Sequence, residues 1–238
     1  MTDIVLIGGL WLPPRVWDDV VAELARLGHR GLPVALPGQV ARDDGHETVT
    51  LDDHVAAVLA VVDACAGPPL VVGHSAAASL AWIAADRREP AGVVLIGGFP
   101  VKDGDAYADF LPIVDGVMPF PGWAAFEGPD AADLDADARA ALVEAMLPVP
   151  EGVARGIVRL RDERRHRVPT TLSCPEFTPD EARDWIAAGD LPELAKAERL
   201  DLADLDSGHW PMVSQPAALA ALLAAATGGG PDRRSSTS

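Results

Sequence analysis

Residues 70–86 read LVVGHSAAASLAWIAAD, and this stretch decides the fold. A short apolar run at 70–72 is followed by Gly73, a single serine at position 75 and a dense block of alanines. A short apolar run that ends at glycine predicts a buried strand, and the longer apolar segment after it predicts a helix. The stretch therefore predicts a strand that turns directly into a helix, with one hydroxyl group at the turn.

The turn itself, GHSAA at 73–77, fits the pattern G-x-S-x-G with alanine in the last position. Such a turn holds its central residue in a strained conformation, and the neighbouring side chains must be small enough to clear the crossing backbones. Gly73 and Ala77 are small enough, and the helix dipole at Ser75 favours negative charge. The alternative is a serine that only caps a helix. Because Ser75 lies between a predicted buried strand and an apolar helix, we favour the interpretation that it is a nucleophile.

Strand and helix signals alternate on both sides of this turn. Strands are predicted at 4–7, 32–36, 70–72, 93–96, 168–174 and 200–205, with helices between most of them. This alternation is typical of a parallel sheet covered by helices on both faces. We therefore predict an α/β fold with a doubly wound, mostly parallel sheet of about six strands. Pro33 weakens the second strand, because a central strand needs every backbone N–H.

The alternation stops between about 100 and 167, a span rich in Asp, Ala, Pro and Gly. We predict that this span is an insertion forming a small helical cap, with helical segments near 137–147 and 151–160. The remainder predicts one domain over 1–226. The segment 227–238 is predicted to be a disordered tail because it is short of apolar residues.

Charge and composition exclude several classes of partner. Asp and Glu number 36 against 19 Lys and Arg, a net charge of −17, which disfavours nucleic acid and anionic membranes as partners. No apolar run of about 18 residues predicts a membrane span. Asp3 stands where a signal peptide would carry a basic residue, so we expect a cytoplasmic protein. Cys65 and Cys174 match neither a disulfide framework nor a metal-binding spacing, and no metal or other cofactor is predicted.

A serine nucleophile needs a base, and His209 is the candidate. It lies in the loop DSGHWPM, 206–212, which follows the last predicted strand. Parallel sheets bind ligands at the carboxyl ends of their strands, which is where this loop would lie. His74, beside the serine, is expected to point away from the reacting group and only to flank it.

The base in turn needs a carboxylate to hold its tautomer. Two candidates follow the strand that ends near Cys174. We favour Glu176 over Asp180, because Asp180 is already explained as part of the acidic first turn of a helix. Asp103, after the strand at 93–96, is the third candidate.

An oxyanion intermediate needs two N–H donors. Ala76, directly after the nucleophile, would supply one. The other is expected from the loop GGLW at 8–11, with Leu10 favoured and Trp11 as the alternative. No G-x-G-x-x-G follows the first strand, so a dinucleotide site is not predicted.

Taken together, these segments resemble the α/β-hydrolase superfamily, and the resemblance extends from Ile4 to the last helix. It rests on VLIGGLW, the helix containing Trp17, the turn GHSAA, the segment SCPEF and the loop DSGHWPM. Within the superfamily the chain is most similar to compact bacterial serine hydrolases of the plant methyl esterase and hydroxynitrile lyase group. Two residues depart from the usual pattern: Gly8 replaces a histidine, and the acid would be Glu instead of Asp.

The resemblance implies a serine hydrolase that cleaves a small-molecule ester or thioester through an acyl-enzyme. Two alternatives remain: a C–C hydrolase or lyase using the same residues, and a non-catalytic small-molecule-binding protein. The lyase ranks lower, because the loop 206–214 lacks the lysine that hydroxynitrile lyases generally use. A homodimer is left open. The residues expected to line the substrate pocket are Trp11, Trp123, Phe126 and Trp210, although aromatic side chains in the insertion would equally suit its own core.

Overall fold

The computed structural model describes residues 1–39 and 48–228 and contains a six-stranded parallel sheet. The strands are β1 Asp3–Ile7, β2 Arg30–Pro33, β3 Leu70–His74, β4 Gly92–Ile96, β5 Val117–Met118, β6 Val149–Pro150, β7 Thr170–Cys174 and β8 Leu200–Asp204. The strands of the parallel sheet lie in the order β2-β1-β3-β4-β7-β8, and every neighbouring pair is parallel, which confirms the predicted fold class. A separate antiparallel pair, β5-β6, lies in the insertion.

Helices connect the parallel strands and cover the sheet. They are α1 Asp18–Arg26, α2 Leu51–Asp63, α3 Ala78–Arg87, α4 Ala136–Ala145, α5 Glu151–Ala154, α6 Pro179–Ala188, α7 Pro211–Ser214 and α8 Pro216–Thr227. Helix α1 packs against α8, and α2 packs against α3. Right-handed crossovers place these two pairs on opposite faces of the sheet. Because these helices cover the faces of the sheet, the carboxyl ends of its strands are left open for a site.

Two helices begin with capping boxes. Thr50 begins α2 with a capping box, in which Asp53 Oδ2 accepts from the Thr50 N–H at 2.9 Å. Thr178 and Glu181 form the same arrangement at the start of α6, with proline at the first helical position. Each box satisfies backbone donors that a helix start leaves free. Thr178 and Glu181 thus have a structural role at the start of α6.

The second strand differs from its prediction. It spans Arg30–Pro33, not 32–36, and it lies at the edge of the sheet beside β1. Pro33 is its last residue and faces Leu6. An edge strand hydrogen-bonds on one side only, so a proline is tolerated there.

The insertion is less helical than predicted. Helix α4 matches the segment near 137–147, but the prediction of a helix at 151–160 is wrong beyond Ala154. A Cβ on Gly156 would lie 2.3 Å from the Leu51 Cβ, so the chain passes close against α2 there. The next residue, Ile157, pairs with Ala106 in an isolated bridge. Tertiary contacts therefore override the local helical signal.

The tail prediction falls largely outside the described residues. Thr227 was included in the predicted tail but ends α8, and 229–238 are not described. Within 1–39 and 48–228, none of the helices is both long and apolar enough to cross a membrane.

A group of buried polar side chains lies at the amino ends of the strands. We call Asp86, Arg165, His166 and Glu193 the amino-end cluster. The Arg165 guanidinium lies 2.8 Å from Glu193 Oε2 and 3.4 Å from Asp86 Oδ1. Asp86 Oδ1 also accepts from the backbone N–H groups of residues 161 and 162 at 2.7 Å. The cluster ties the last part of the insertion to α3.

Candidate active site

Ser75 stands at the tip of a strained turn at the end of β3. Its φ is 54°, a left-handed value that is unusual for serine, and it opens the short 3₁₀ helix Ser75–Ala77. A Cβ on Gly73 would lie 2.3 Å from the Ala77 carbonyl oxygen, and one on Gly98 would lie 2.2 Å from that of Ser75. Only glycine fits at both positions. The backbone around the serine is held by close packing on both sides.

His209 and Glu176 meet at the same end of the sheet. The His209 Nδ1 and Glu176 Oε1 atoms are 2.7 Å apart, and the two side chains are only 13% and 14% exposed. Because an ionised carboxylate only accepts hydrogen bonds, Nδ1 carries the proton in neutral His209. The Nε2 atom is then free to accept a proton, as a general base must.

The other two candidate acids lie in different contacts. Asp180 pairs with Arg183 in the first turn of α6, and its side chain is 88% exposed. Asp103 Oδ1 accepts from the Leu160 N–H at 2.9 Å, so it organises the insertion. Of the three carboxylates, only Glu176 is recorded in contact with the His209 ring.

The carboxylate of Glu176 occupies space that is left by a glycine after the neighbouring strand. Gly97 follows β4 with a φ of 55°, and a Cβ there would lie 2.9 Å from Glu176 Oε2. This second carboxylate oxygen is buried and has no hydrogen-bond partner among the described residues. Buried polar atoms are normally satisfied, so an open acceptor beside the imidazole is unusual.

The insertion holds the loop that carries His209. The His209 N–H donates to the Asp130 carbonyl oxygen at 2.7 Å, and the Gly208 N–H donates to Asp133 Oδ2 at 2.7 Å. The Ser207 hydroxyl also donates to Asp133 Oδ2, at 3.1 Å. No sequence signal indicated these contacts, because the partners are about 75 residues apart in the chain.

The carboxyl groups of Asp130 and Asp133, which lie next to the histidine loop, have shifted pKa values. Burial alone would raise the pKa of Asp133, but hydrogen bonds from Gly208, Ser214 and Ser207 hold it below its ordinary value. Burial raises the pKa of Asp130; His209 opposes this shift and the negative charge of Glu176 adds to it. Asp130 is therefore easier to protonate than Asp133, although the two lie on the same segment.

The loop after β1 lies against the serine turn. A turn closes with the Leu12 N–H donating to the Gly9 carbonyl oxygen at 3.3 Å, and Trp11 within it has a φ of 66°. A Cβ on Gly9 would lie 3.0 Å from the Ser75 Cβ. In the described chain the Leu10 N–H has no recorded protein acceptor. Ala76, second in the 3₁₀ helix, has one of the N–H groups that a helix start leaves free.

The four aromatic residues expected in the pocket belong to one cluster with Phe120. Phe126 lies 6.1 Å from Trp11 and 5.2 Å from Trp210, measured between ring centroids. Trp123 lies 5.2 Å from Trp210. Phe126 also stacks near the His209 ring at 6.3 Å. The cluster therefore joins the insertion to the sheet and reaches the histidine.

The His74 side chain contacts His209, although the sequence predicted that it would point away from the reacting group. Its Nε2 atom is 2.7 Å from the His209 carbonyl oxygen, and the two ring centroids are 4.9 Å apart. The residue before the serine was expected only to flank the turn, so this contact is a finding of the structure.

A cavity of about 250 Å³ lies away from these residues, at the amino ends of the strands, where it is bordered by Leu70, Gly92 and Thr170. Ligands of parallel sheets bind at the opposite end, so this cavity is not the candidate site. The part of the chain that is described contains no group of three or more His, Cys, Asp or Glu placed to hold a metal.

A strained serine at a strand-to-helix turn and a buried carboxylate–histidine pair at the same sheet edge define the class of an α/β-fold hydrolase. The sequence family described as the Alpha/beta hydrolase family matches residues 4–222. The chain belongs to this family, as the resemblance predicted.

One similar protein of known activity is a carbendazim hydrolyzing esterase from Nocardioides sp. (strain SG-4G). It is 32% identical over 117 residues, which make up 47% of this chain and 48% of that protein. The match thus spans about half the length of the relative.

Solved structures share the whole fold at low sequence identity. An extracellular alpha/beta-hydrolase from a Paenibacillus species has a TM-score of 0.74 at 16% identity, over 95% of this chain and 99% of that one. A methylesterase from Arabidopsis has a TM-score of 0.74 at 14% identity, over 96% and 99%. A pyrethroid hydrolase from Sphingobium faniae has a TM-score of 0.69 at 20% identity, over 96% and 98%. At these identities the likeness establishes the fold.

Proposed function

We propose that the protein hydrolyses a small-molecule carboxylic ester through an acyl-enzyme intermediate on Ser75. In this reaction His209 is the general base, Glu176 orients it, and the N–H groups of Leu10 and Ala76 bind the oxyanion. The observation that carries the proposal is the 2.7 Å contact between His209 Nδ1 and Glu176 Oε1 at the sheet edge where the strained serine lies.

The proposed reaction has two halves. First, Ser75 Oγ attacks the ester carbonyl while His209 Nε2 takes its proton, and the carbonyl oxygen becomes an oxyanion. His209 then donates the proton to the departing alcohol oxygen, which leaves Ser75 acylated. Second, a water molecule loses a proton to His209 and its oxygen attacks the acyl carbon. The bond from that carbon to Ser75 Oγ breaks, His209 returns the proton to Oγ, and the carboxylic acid is released. Glu176 stays ionised and stabilises the imidazolium in both halves.

An apolar substrate suits the surroundings of the histidine. The aromatic rings in contact with the His209 ring include Phe126 and Trp210, and Trp11, within the proposed oxyanion loop, contacts Phe126. The relative named as a carbendazim hydrolyzing esterase supports ester cleavage as the reaction class. The proposed pocket residues are thus Trp11, Trp123, Phe126 and Trp210.

The arginines of the insertion give no support to an anchor for an acidic carrier, which a thioesterase would use. Four of them pair with carboxylates of this chain: Arg155 with Glu151 and Asp109, Arg164 with Asp162 and Glu89, Arg165 with Glu193, and Arg167 with Glu198. An arginine already paired in this way is a weaker anchor for an external anion. The ester is therefore proposed ahead of the thioester. A cytoplasmic location and a homodimer stay predictions.

Labelling with a fluorophosphonate probe and turnover of short p-nitrophenyl esters test the proposal together. We expect the wild type to be labelled and active, and Ser75→Ala to be neither. Glu176→Gln is expected to lower kcat by about 10⁴-fold, the size of effect known for the acid of a serine protease triad. Asp180→Asn is the matched control and should keep the wild-type kcat, since Asp180 is exposed. Labelling that persists in Ser75→Ala, or equal losses in the two acid variants, would contradict the proposal.

A further inference from the structure

His74 is a buried histidine that the proposed reaction does not use. Its side chain is 1% exposed and lies between the loop after β1 and the loop that carries His209. It directly precedes Ser75, so it shares a peptide bond with the proposed nucleophile. Any role must come from its contact with the neighbouring loops.

The contact of His74 with His209 has a definite direction. A backbone carbonyl oxygen only accepts hydrogen bonds, so the His74 Nε2 atom must donate to the His209 oxygen at 2.7 Å. Burial, with a further contribution from His209, lowers the pKa of His74 to about 3, so the ring is neutral at neutral pH. A neutral ring with its proton on Nε2 has a lone pair on Nδ1.

The Nδ1 atom of His74 lies against the loop after β1. In the described structure this atom is buried and has no hydrogen-bond partner. A Cβ on Gly9 would lie 2.8 Å from it. The ring therefore fills the space between the proposed oxyanion loop and the histidine loop.

The backbone of His209 is held at both of its polar groups. Its N–H donates to the Asp130 carbonyl oxygen at 2.7 Å, and its carbonyl oxygen accepts from His74. The position of an imidazole follows the peptide from which it projects, and a displacement of about 1 Å in a catalytic group costs on the order of 10²-fold in rate. Holding both groups therefore sets where Nε2 of His209 lies relative to the serine.

We infer that His74 is a positioning residue for His209, acting through the hydrogen bond from its Nε2–H to the His209 carbonyl oxygen. The inference rests on the proposed function, because it gives His209 a catalytic task. It assigns a role to the variable position of the serine turn, which the sequence pattern leaves open.

Two substitutions separate the hydrogen bond from the bulk of the ring. In His74→Gln the amide nitrogen reaches about as far as Nε2 and can still donate, whereas in His74→Asn the amide ends near the position of Nδ1. We expect His74→Asn to lower kcat for p-nitrophenyl esters by roughly 10- to 100-fold at nearly unchanged KM. His74→Gln should recover kcat to within about fivefold of wild type.

His54 provides a matched control. Its Nε2 atom lies 2.8 Å from the Pro37 carbonyl oxygen, its side chain is buried, and its Nδ1 atom has no recorded partner in the described chain. His54→Asn thus removes the same type of bond from a loop that does not carry His209. It should lower Tm without changing kcat. If His54→Asn and His74→Asn lower kcat alike, or His74→Gln fails to recover it, the inference is overturned.

A spectroscopic measurement tests the inference without turnover. The His209 Nδ1–H that faces Glu176 should give a downfield proton NMR signal in the wild type. We expect this signal to be kept in His74→Gln and to shift or disappear in His74→Asn, while remaining in His54→Asn. An unchanged signal in His74→Asn would overturn the inference.

Absence of Ser75 labelling in the wild type would instead contradict the proposed function alone. Should His74→Asn fail to fold, His74→Gln must still keep both signal and kcat.

Discussion

The two ends of the sheet each bury a group of polar side chains, and the two groups are bonded differently. In the amino-end cluster, Glu193 Oε2 accepts from Trp82, Arg165 and His166. At the carboxyl end, Glu176 has one contact to His209 and leaves its second oxygen without a partner. The contrast lies between the two glutamates, since Asp86 Oδ2 in the amino-end cluster also has no hydrogen-bond partner among the described residues. A buried carboxylate with several donors stabilises a fold, whereas a buried acceptor without a donor is costly.

The insertion contributes to both groups. Residues 161, 162 and 165 contact Asp86 near the amino ends, and Asp130 with Asp133 accept hydrogen bonds from the histidine loop at the carboxyl ends. We therefore expect substitutions at the amino end to act on stability and substitutions at the carboxyl end to act on catalysis.

The largest predicted effect breaks the amino-end cluster. Arg165→Met removes the buried cation that contacts both Glu193 and Asp86, and leaves them the longer contacts to Lys196 at 3.7 Å and Arg87 at 3.5 Å. Removing one partner of a buried ion pair costs about 3–5 kcal/mol of unfolding free energy. Urea denaturation measures this loss, and the kcat of the protein that remains folded should be unchanged. Arg164→Met is the control, because Arg164 is 64% exposed and its pairs are worth at most about 1 kcal/mol. A kcat loss in Arg165→Met as large as that in Glu176→Gln would contradict the distinction between the two ends of the sheet.

The next effect concerns pH. The folded protein holds the pKa of His74 at about 3 by burial, and the unfolded chain has the ordinary value near 6.5. Below pH 6.5 the unfolded state therefore binds the proton first, and stability falls as the pH drops towards 3, by about 1.4 kcal/mol per pH unit. His74→Gln removes this contribution, so its unfolding free energy should depend less steeply on pH between 6 and about 4. His54, whose pKa is also lowered by burial, gives a slope of the same sign that both proteins keep. Parallel curves for the two proteins would show that His74 is not buried as described.

Gly9→Ala sharpens the comparison at the carboxyl end. The new methyl group would lie 2.8 Å from His74 Nδ1 and 3.0 Å from the Ser75 Cβ, and overpacking of this kind costs about 1–3 kcal/mol. We expect kcat to fall as well, because the strain falls on the serine turn. Gly67→Ala has nothing within 4 Å of the new methyl and serves as the control. Equal Tm and kcat in the two alanine variants would contradict the close contact.

The smallest predicted effect is that of Asp133→Asn. The amide oxygen can still accept from the Gly208 N–H, but the charge that strengthens this bond is lost, at about 1 kcal/mol. A fall in kcat of about 3- to 10-fold is expected from the looser histidine loop. Asp135→Asn is the matched control, since Asp135 caps α4 and asparagine caps equally well. The same kcat in both variants would mean that Asp133 does not position the loop.

The fold class and much of the candidate site follow from local patterns. The turn at 73–77 is readable because its steric demands act within five residues, and the carboxyl-end rule brings Ser75, His209 and Glu176 to one edge. Asp180 ranks below Glu176 as the candidate acid because its place in the acidic first turn of α6 already accounts for it. The serine turn and the acidic helix start follow from interactions between near neighbours in the chain, and the shared edge follows from the common direction of the strands.

The sequence by itself determined the alternation of strands and helices, the strained serine turn and the residue types able to carry out acyl transfer. Only the tertiary structure decided that α5 ends at Ala154, where the chain then packs on Leu51, and that Asp133 and His74 form hydrogen bonds with the histidine loop. His74 and His209 are 135 residues apart. A hydrogen bond across that separation leaves no periodicity in the sequence, because it depends on how distant segments pack.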